Sequence, residues 1–149
     1  ERHAEIDDDH PVVRVEDEHH TLREQLDTIQ SAATRTGLLE DMLVLPKMLL
    51  EHFTIEEQTG GLYDDLRKRR PDLATGLDAL KEEHQVILSE FDEIHLRLQE
   101  QIETERGVDD IPESMTRDVR RWLERLRRHE REESAMIGDV YYTDEGGFG

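Results

Sequence analysis

The chain contains no cysteine. This absence excludes disulfide bonds, iron–sulfur clusters, thiolate zinc sites and blue copper centres, and it leaves imidazole and carboxylate as the strong metal ligands. Aromatic residues make up only 5 % of the sequence and β-branched alternation is scarce, so a sheet protein is not expected. No apolar run approaches the length of a membrane span, and we expect no membrane partner.

Basic residues are few relative to acidic ones. The chain has 19 Lys and Arg against 38 Asp and Glu, a formal net charge of −19. Such a charge repels nucleic acids and anionic membrane surfaces, so neither is an expected partner. Basic residues cluster at 67–70 and 117–131, but acidic neighbours interleave with them, and we interpret both runs as solvated helix faces. Without a recognisable secretory signal, the cytoplasm is the expected compartment.

The length of 149 residues fits a single domain with one core. Hydrophobic residues account for 34 % and charged residues for 38 %, a balance typical of amphipathic helices with polar outer faces. We predict an irregular lead-in over residues 1–11, a helical bundle over 12–144 and a flexible tail over 145–149. The sequence leaves the oligomeric state open.

The spacing of apolar residues predicts four long helices. The first runs from Val12 to about Arg35, with Gly37 as its stop, and the second from Leu38 to about Thr59, with Pro46 kinking or restarting it. A short helix ending near Arg70 follows. The third long helix runs from Leu73 and fades near Gly107, and the fourth runs from about Glu113 to Ile137, after which we expect an extended or mobile segment from Gly138. Four long helices with short connections predict an all-α fold, an antiparallel four-helix bundle.

Each long helix carries one histidine within its apolar stripe, and the second and fourth helices each add a glutamate one turn later. Positions i and i+4 are neighbours on a helix face, so each His/Glu pair points to the same place. Burying a carboxylate in a core is unfavourable unless a partner compensates its charge. A pair of metal ions would satisfy all six groups together. The predicted metal ligands are His19, His52, Glu56, His84, His129 and Glu133.

Helix phase, not spacing alone, selects these residues. The HxxxE spacing occurs three times, and the third pair, His20 and Glu24, lies on the polar face of the first helix. A single inward histidine is more often a satisfied core imidazole, but that explanation does not suit six inward polar groups. We place His95 at the rim of its stripe. Four further residues are expected outside the set: His3 and His10 in solvent, and Glu57 and Glu132 beside the stripes.

The two halves of the sequence echo each other. The segment at 18–22, EHHTL, is similar to the segment at 83–87, EHQVI, and each precedes an HxxxE helix that leads into a tyrosine region. This weak repeat indicates a pseudo-twofold site between the two halves.

The order H, HxxxE, H, HxxxE resembles the hemerythrin-like, or HHE, domain over roughly residues 12–144. The resemblance rests on EHHTL at 18–22, HFTIEEQ at 52–58, EEHQVI at 82–87 and RHEREES at 128–134. It implies a four-helix bundle that holds a non-haem centre of two iron ions. By that resemblance His19 and His52 bind one iron, His84 and His129 bind the other, and Glu56 and Glu133 bridge them.

The sequence departs from oxygen-carrying hemerythrin at two positions. Leu88 stands where that protein has a second histidine in the third helix, and the last helix has HxxxE where that protein has a histidine and aspartate separated by four residues. One iron therefore loses a protein nitrogen, and each iron keeps open positions for oxo, hydroxo, water, dioxygen or peroxide. These differences disfavour reversible oxygen carriage and favour redox chemistry or sensing.

Three functions follow from these patterns. The first is a diiron protein that binds or turns over dioxygen or hydrogen peroxide, with catalase-like or peroxidase-like activity as its enzymatic form. The second is a non-enzymatic module for iron or oxygen sensing or for iron handling, and the third is a metal-free structural bundle. Imidazole and carboxylate also accept zinc and manganese, so the ligand set alone leaves the metal open. No catalytic residue can be assigned from the sequence.

Overall fold

Six α-helices form in residues 10–142, the part of the chain that this computed structural model describes. A 3₁₀ turn at Pro71–Leu73 precedes the fifth helix, and a π-helical turn at Gly138–Tyr142 follows the sixth. The helices are α1 Pro11–Gln30, α2 Arg35–Leu43, α3 Leu45–Glu57, α4 Leu62–Arg69, α5 Ala74–Thr104 and α6 Glu113–Ile137.

The long helices form a four-helix bundle, and the predicted all-α fold is confirmed. Helix α1 packs against α3 and α6, and α5 packs against α6 and α2. The short helix α4 follows α3, as predicted, and packs against it. Within the described residues, no helix is both long enough and apolar enough to cross a membrane.

Two predicted boundaries in the first half are resolved by local capping. The first helix ends at Gln30, not near Arg35, because Thr34 caps a new helix: its hydroxyl accepts a hydrogen bond of 3.0 Å from the N–H of Gly37. Gly37 therefore lies in the first turn of α2 and is not a stop. The second predicted helix is divided into α2 and α3, and Pro46 lies in the first turn of α3, one residue after its start. A proline is tolerated there because its missing N–H would have no partner within the helix.

Both ends of the described chain differ from the expectation. His10 is not free in solvent: its Nδ1 caps α1 by accepting from the N–H of Val12 at 3.1 Å, and its ring lies edge-on to Tyr141. The segment from Gly138 continues as a helical turn to Tyr142 instead of becoming extended. The rest of the predicted lead-in before His10, with His3, and the tail at 145–149 lie outside the described residues.

The apolar core consists of two clusters with a polar layer between them. On α1, Val15 belongs to one cluster and Leu22 to the other, and His19 lies between them in sequence. On α5, His84 likewise separates Leu80 from Ile87. The same alternation on α3 and α6 places the inward histidines and glutamates at one level of the bundle.

A buried arginine fixes the start of α2 to the connection between α5 and α6. The guanidinium of Arg35 donates to the carbonyl of Asp110 at 2.7 Å and lies 2.8 Å from the Glu105 carboxylate. The Arg35 side chain is buried, whereas that of Glu105 is half exposed. This contact closes the end of the bundle farthest from the polar layer along α5.

Replacing Arg35 with Ala should lower the free energy of unfolding by roughly 1–3 kcal/mol, because it removes a buried side chain together with its charge-assisted hydrogen bond to the carbonyl of Asp110. Urea unfolding followed by circular dichroism measures the change. Arg106→Ala, an exposed position in the same connection, is the matched control. Equal stability of the two variants would contradict an anchoring role for Arg35.

Candidate metal centre

The polar layer contains the six residues that the sequence selected. Helix α1 contributes His19, α3 contributes His52 and Glu56, α5 contributes His84, and α6 contributes His129 and Glu133. Each is at most 1 % exposed. The prediction that all six face inward is therefore confirmed, and their role as metal ligands stays a prediction.

Glu56 presents its two carboxylate oxygens to different histidines. Its Oε2 lies 3.0 Å from Nε2 of His52 and 3.7 Å from Nε2 of His19. Its Oε1 lies 3.0 Å from Nε2 of His84. One carboxylate thus spans both halves of the layer.

Glu133 divides its oxygens in the same way from the opposite side. Its Oε1 lies 3.1 Å from Nε2 of His19, and its Oε2 lies 3.3 Å from Nε2 of His129. The two glutamates are therefore shared between two groups of donor atoms, whose members lie within 4.8 Å of one another. We call these the His19 quartet (His19, His52, Glu56, Glu133) and the His84 quartet (Glu56, His84, His129, Glu133).

Several donor atoms of the layer are buried without a hydrogen-bond partner among the described residues. They are Nε2 of His52, Nε2 of His129 and Oε2 of Glu56. Buried polar atoms are nearly always satisfied, so atoms that are close together but poorly oriented for hydrogen bonds indicate a missing partner. Imidazole nitrogens and carboxylate oxygens suit a first-row transition metal in each quartet.

Carboxylates on the outer side of the layer orient three of the four imidazoles. Nδ1 of His52 lies 2.8 Å from Glu18, and Nδ1 of His129 lies 2.7 Å from Glu83. Nδ1 of His84 is hydrogen-bonded to Glu57. Each contact fixes the ring so that Nε2 faces the interior, the usual role of a carboxylate behind a metal-binding histidine.

A tyrosine from the short helix α4 also enters the layer. The hydroxyl of Tyr63 donates to Glu133 and lies 3.2 Å from Nε2 of His84 and 3.5 Å from Oε1 of Glu56. Its oxygen therefore contacts His84 and the two glutamate oxygens that face His84, Oε1 of Glu56 and Oε2 of Glu133. Helix spacing does not predict a role for Tyr63, although a buried tyrosine whose hydroxyl needs a polar partner is itself a signal.

Comparison with known families agrees with this geometry. The model of the hemerythrin HHE cation-binding domain matches residues 10–139. The chain belongs to this family. Comparisons with curated proteins and with solved structures gave no significant match.

The electrostatics of this HHE domain couple the histidines to the glutamates. Burial lowers the pKa of each imidazole, but the neighbouring carboxylates raise it by more, so that the pKa of His19 and of His84 rises to about 9 and that of His52 to about 10. Burial raises the pKa of Glu56 and of Glu133, yet the histidines around them outweigh burial and both pKa values fall. Without metal, protonated imidazoles therefore neutralise the two carboxylates.

A third carboxylate of α6, Glu130, is buried beside the layer without joining either quartet. It is 4 % exposed, and its Oε2 has no hydrogen-bond partner among the described residues. Burial raises the pKa of Glu130 to about 7, against the opposing charges of His19 and His52. Sequence spacing gives no sign of this role, because Glu130 directly follows His129 and lies inside the HxxxE motif.

The remaining residues of the sequence analysis lie mostly where helix phase predicts them. His20 and Glu132 are exposed. His95 is half-buried and stacks on Phe91, away from the layer, in keeping with a rim position. Glu57 lies beside the stripe as predicted, but its hydrogen bond to His84 ties it to the centre.

The metal-free protein should lose stability as the pH rises from 7 to 10. A histidine whose folded pKa is raised stabilises the fold fully below its unfolded value, near 6.5, and that contribution disappears as the pH passes the folded values of about 9 to 10. We expect the melting temperature of chelator-treated protein to fall by about 5 °C or more over this range. Metal-loaded protein, in which metal replaces the protons, is the control. An equal fall in both forms would contradict this interpretation.

Proposed function

We propose that this HHE domain is a non-haem diiron protein that binds or reacts with dioxygen or hydrogen peroxide. The proposal rests on one observation: Glu56 and Glu133 each direct one carboxylate oxygen towards each quartet. Two ions held side by side by shared carboxylates need this arrangement, whereas a single ion does not. The lack of cysteine and the mixed imidazole and carboxylate ligands support iron over copper, and they are compatible with manganese and zinc.

In this proposal His19 and His52 would hold one iron, His84 and His129 would hold the other, and Glu56 and Glu133 would supply carboxylate oxygens to both. The iron pair would supply electrons two at a time, and the protein ligands would leave room for a small ligand. Glu18, Glu57 and Glu83 keep the imidazoles oriented and make them stronger electron donors.

In the catalase-like reaction, electrons and protons balance between two molecules of hydrogen peroxide. One hydrogen peroxide accepts two electrons and two protons and becomes two waters, and a second gives up two electrons and two protons and becomes dioxygen. Tyr63 is the protein group best placed to hold one of these protons. Burial and the charge of Glu133 raise the pKa of its phenol above the usual value, so the hydroxyl stays protonated at neutral pH and can donate to an oxygen beside the His84 quartet.

The first test is the metal content of the protein and of two neighbouring variants. Protein purified without chelator should contain about two metal ions per chain, with iron predominating. His19→Ala should lower that content, because it removes a donor atom of the His19 quartet. His20→Ala, one residue away on the exposed face, should leave it unchanged. A wild-type stoichiometry near one, or zinc that iron cannot displace, would contradict a diiron centre.

The second test separates turnover from binding. The iron-loaded protein should consume hydrogen peroxide, Glu133→Ala should abolish consumption, and Glu132→Ala, exposed on the same helix, should not. Tyr63→Phe should keep both irons and slow consumption by about tenfold or more, a range typical of removing a proton donor. Two irons without peroxide consumption would instead support the sensing or iron-handling alternative.

A further inference from the structure

Among the residues that the structure describes, three surface depressions reach towards the polar layer, and the largest of the three ends at groups that already have hydrogen-bond or ion-pair partners. This cleft, of about 660 Å³, lies between α5 and α6 and is lined by Glu83 and Arg125. Glu83 bonds to His129 on one side and lies 3.4 Å from Arg125 on the other, and Arg125 also bonds to Glu90. A small ligand would have to break this ion-pair network to pass, so the cleft is a closed approach.

The second depression is small and has an aromatic plug. It lies between α3 and α5, has a volume of about 110 Å³, and is lined by Phe53 and His84. The ring of Phe53 stacks on the imidazole of His84 with a centroid distance of 3.8 Å and an interplanar angle of 12°. The phenyl ring covers the imidazole and offers no hydrogen bond, so the polar side chains that also line the depression, Thr54, Glu57 and Gln85, do not give a polar molecule a path past it.

The third depression ends at the unpaired carboxylate of Glu130. This α1–α6 cleft has a volume of about 590 Å³ and is lined by Arg23, Asp27, Arg127, Glu130 and Arg131. Glu130 is buried, has an unpartnered Oε2, and lies close enough to His19 and His52 for their charges to act on it. Of the three approaches, it alone ends at a buried polar atom without a partner among the described residues.

The two HxxxE motifs differ at the position that faces these approaches. Phe53 follows His52 and precedes Glu56 by three residues, and Glu130 holds the same place between His129 and Glu133. The pseudo-twofold arrangement therefore carries a phenyl plug in one half and a carboxylate in the other. This asymmetry places a hydrogen-bonding group at the inner end of the α1–α6 cleft and an apolar ring at the inner end of the depression between α3 and α5.

The rim of the α1–α6 cleft is positively charged on a chain with a net charge of −19. Arg127 is paired with Asp27, at 2.8 Å. Arg23 and Arg131 are exposed and form no ion pair within residues 10–142. A local positive potential raises the concentration of small anions at the mouth of the cleft and leaves neutral molecules unaffected.

We infer that the α1–α6 cleft is the route by which small hydrogen-bonding ligands, neutral or singly anionic, reach the His19 quartet, and that Glu130 is the gating residue at its inner end. The inference rests on the proposed diiron function. The unpartnered oxygen of Glu130 can accept a hydrogen bond from a ligand that carries a proton, such as hydrogen peroxide, so that such a ligand passes from the cleft to the centre without losing all of its hydrogen bonds at once.

The decisive experiment measures azide binding to the iron-loaded protein by stopped-flow absorption. Glu130→Phe copies into the second motif the residue that the first motif carries. It should slow both the association and the dissociation of azide by about tenfold or more and leave the dissociation constant within about twofold, because a blocked route affects both directions equally. Damage to the ligand set would change the dissociation constant instead.

Thr54→Trp is the matched variant for the competing route, since Thr54 is exposed and lines the second depression, between α3 and α5. It should leave both azide rates near those of the wild type. If Thr54→Trp slows azide and Glu130→Phe does not, the route lies between α3 and α5 and the inference is overturned. The inference is also overturned if Glu130→Phe alters the dissociation constant without slowing association.

Exposed rim residues give a second test that does not depend on replacing a buried group. The double variant Arg23→Gln, Arg131→Gln should slow azide association severalfold at low ionic strength, and the effect should shrink in high salt. Arg117→Gln, exposed at the far end of α6, should have no such effect. Equal rates for the double variant and this control would overturn the inference even if Glu130→Phe fails to fold.

Failure of the diiron proposal is recognised separately, before any variant is compared. Wild-type protein that contains no iron pair, or an iron pair that gives no azide spectrum, overturns both proposals. Wild-type protein that binds azide, together with unchanged rates in Glu130→Phe and in the rim variant, overturns the route alone.

Discussion

Two carboxylates buried in the middle of an apolar bundle are the constraint on which this structure depends. Glu56 is 0 % exposed and Glu133 is 1 % exposed. An uncompensated carboxylate at such a depth would cost several kcal/mol and would take up a proton or unfold the site. The chain compensates them with four imidazoles at the same level, and the hydrophobic core is divided into two clusters on either side of this layer.

A second set of carboxylates lies outside the layer. Because the Nε2 of each imidazole faces a buried glutamate, three of the four rings are oriented by a hydrogen bond at the other nitrogen, Nδ1. Glu18 orients His52 and Glu83 orients His129, and each of these glutamates immediately precedes the other histidine of the same quartet, His19 or His84. The sequence repeat therefore has a structural meaning. In each Glu-His pair the histidine enters the layer, and the glutamate orients the histidine of the following HxxxE motif. Acidic residues that look like ordinary helix surface are therefore part of the centre.

Helix periodicity was sufficient to identify the six inward groups, because burial of a side chain on a helix depends mainly on its phase relative to the apolar stripe. It could not identify Tyr63, whose hydroxyl reaches the layer from a short helix with little periodicity of its own. Nor could it separate Glu57, which bonds to His84, from Glu132, which is exposed, since both flank a stripe in the same way. The end of α1 was misplaced because the Thr34 cap competes locally with a continuing apolar pattern.

Protons and metal ions have the same electrostatic task in this layer. In the metal-free protein the raised pKa values of His19, His52 and His84 keep these imidazoles charged at neutral pH, and their charge balances Glu56 and Glu133. A divalent ion entering a quartet displaces those protons and leaves the carboxylates balanced as before. The protonated imidazoles can therefore balance the two buried carboxylates in the metal-free bundle, and a metal ion that binds there would exchange with those protons. Metal binding in such a site is a substitution of charge within a preformed scaffold, and its affinity should rise with pH until the imidazoles are neutral.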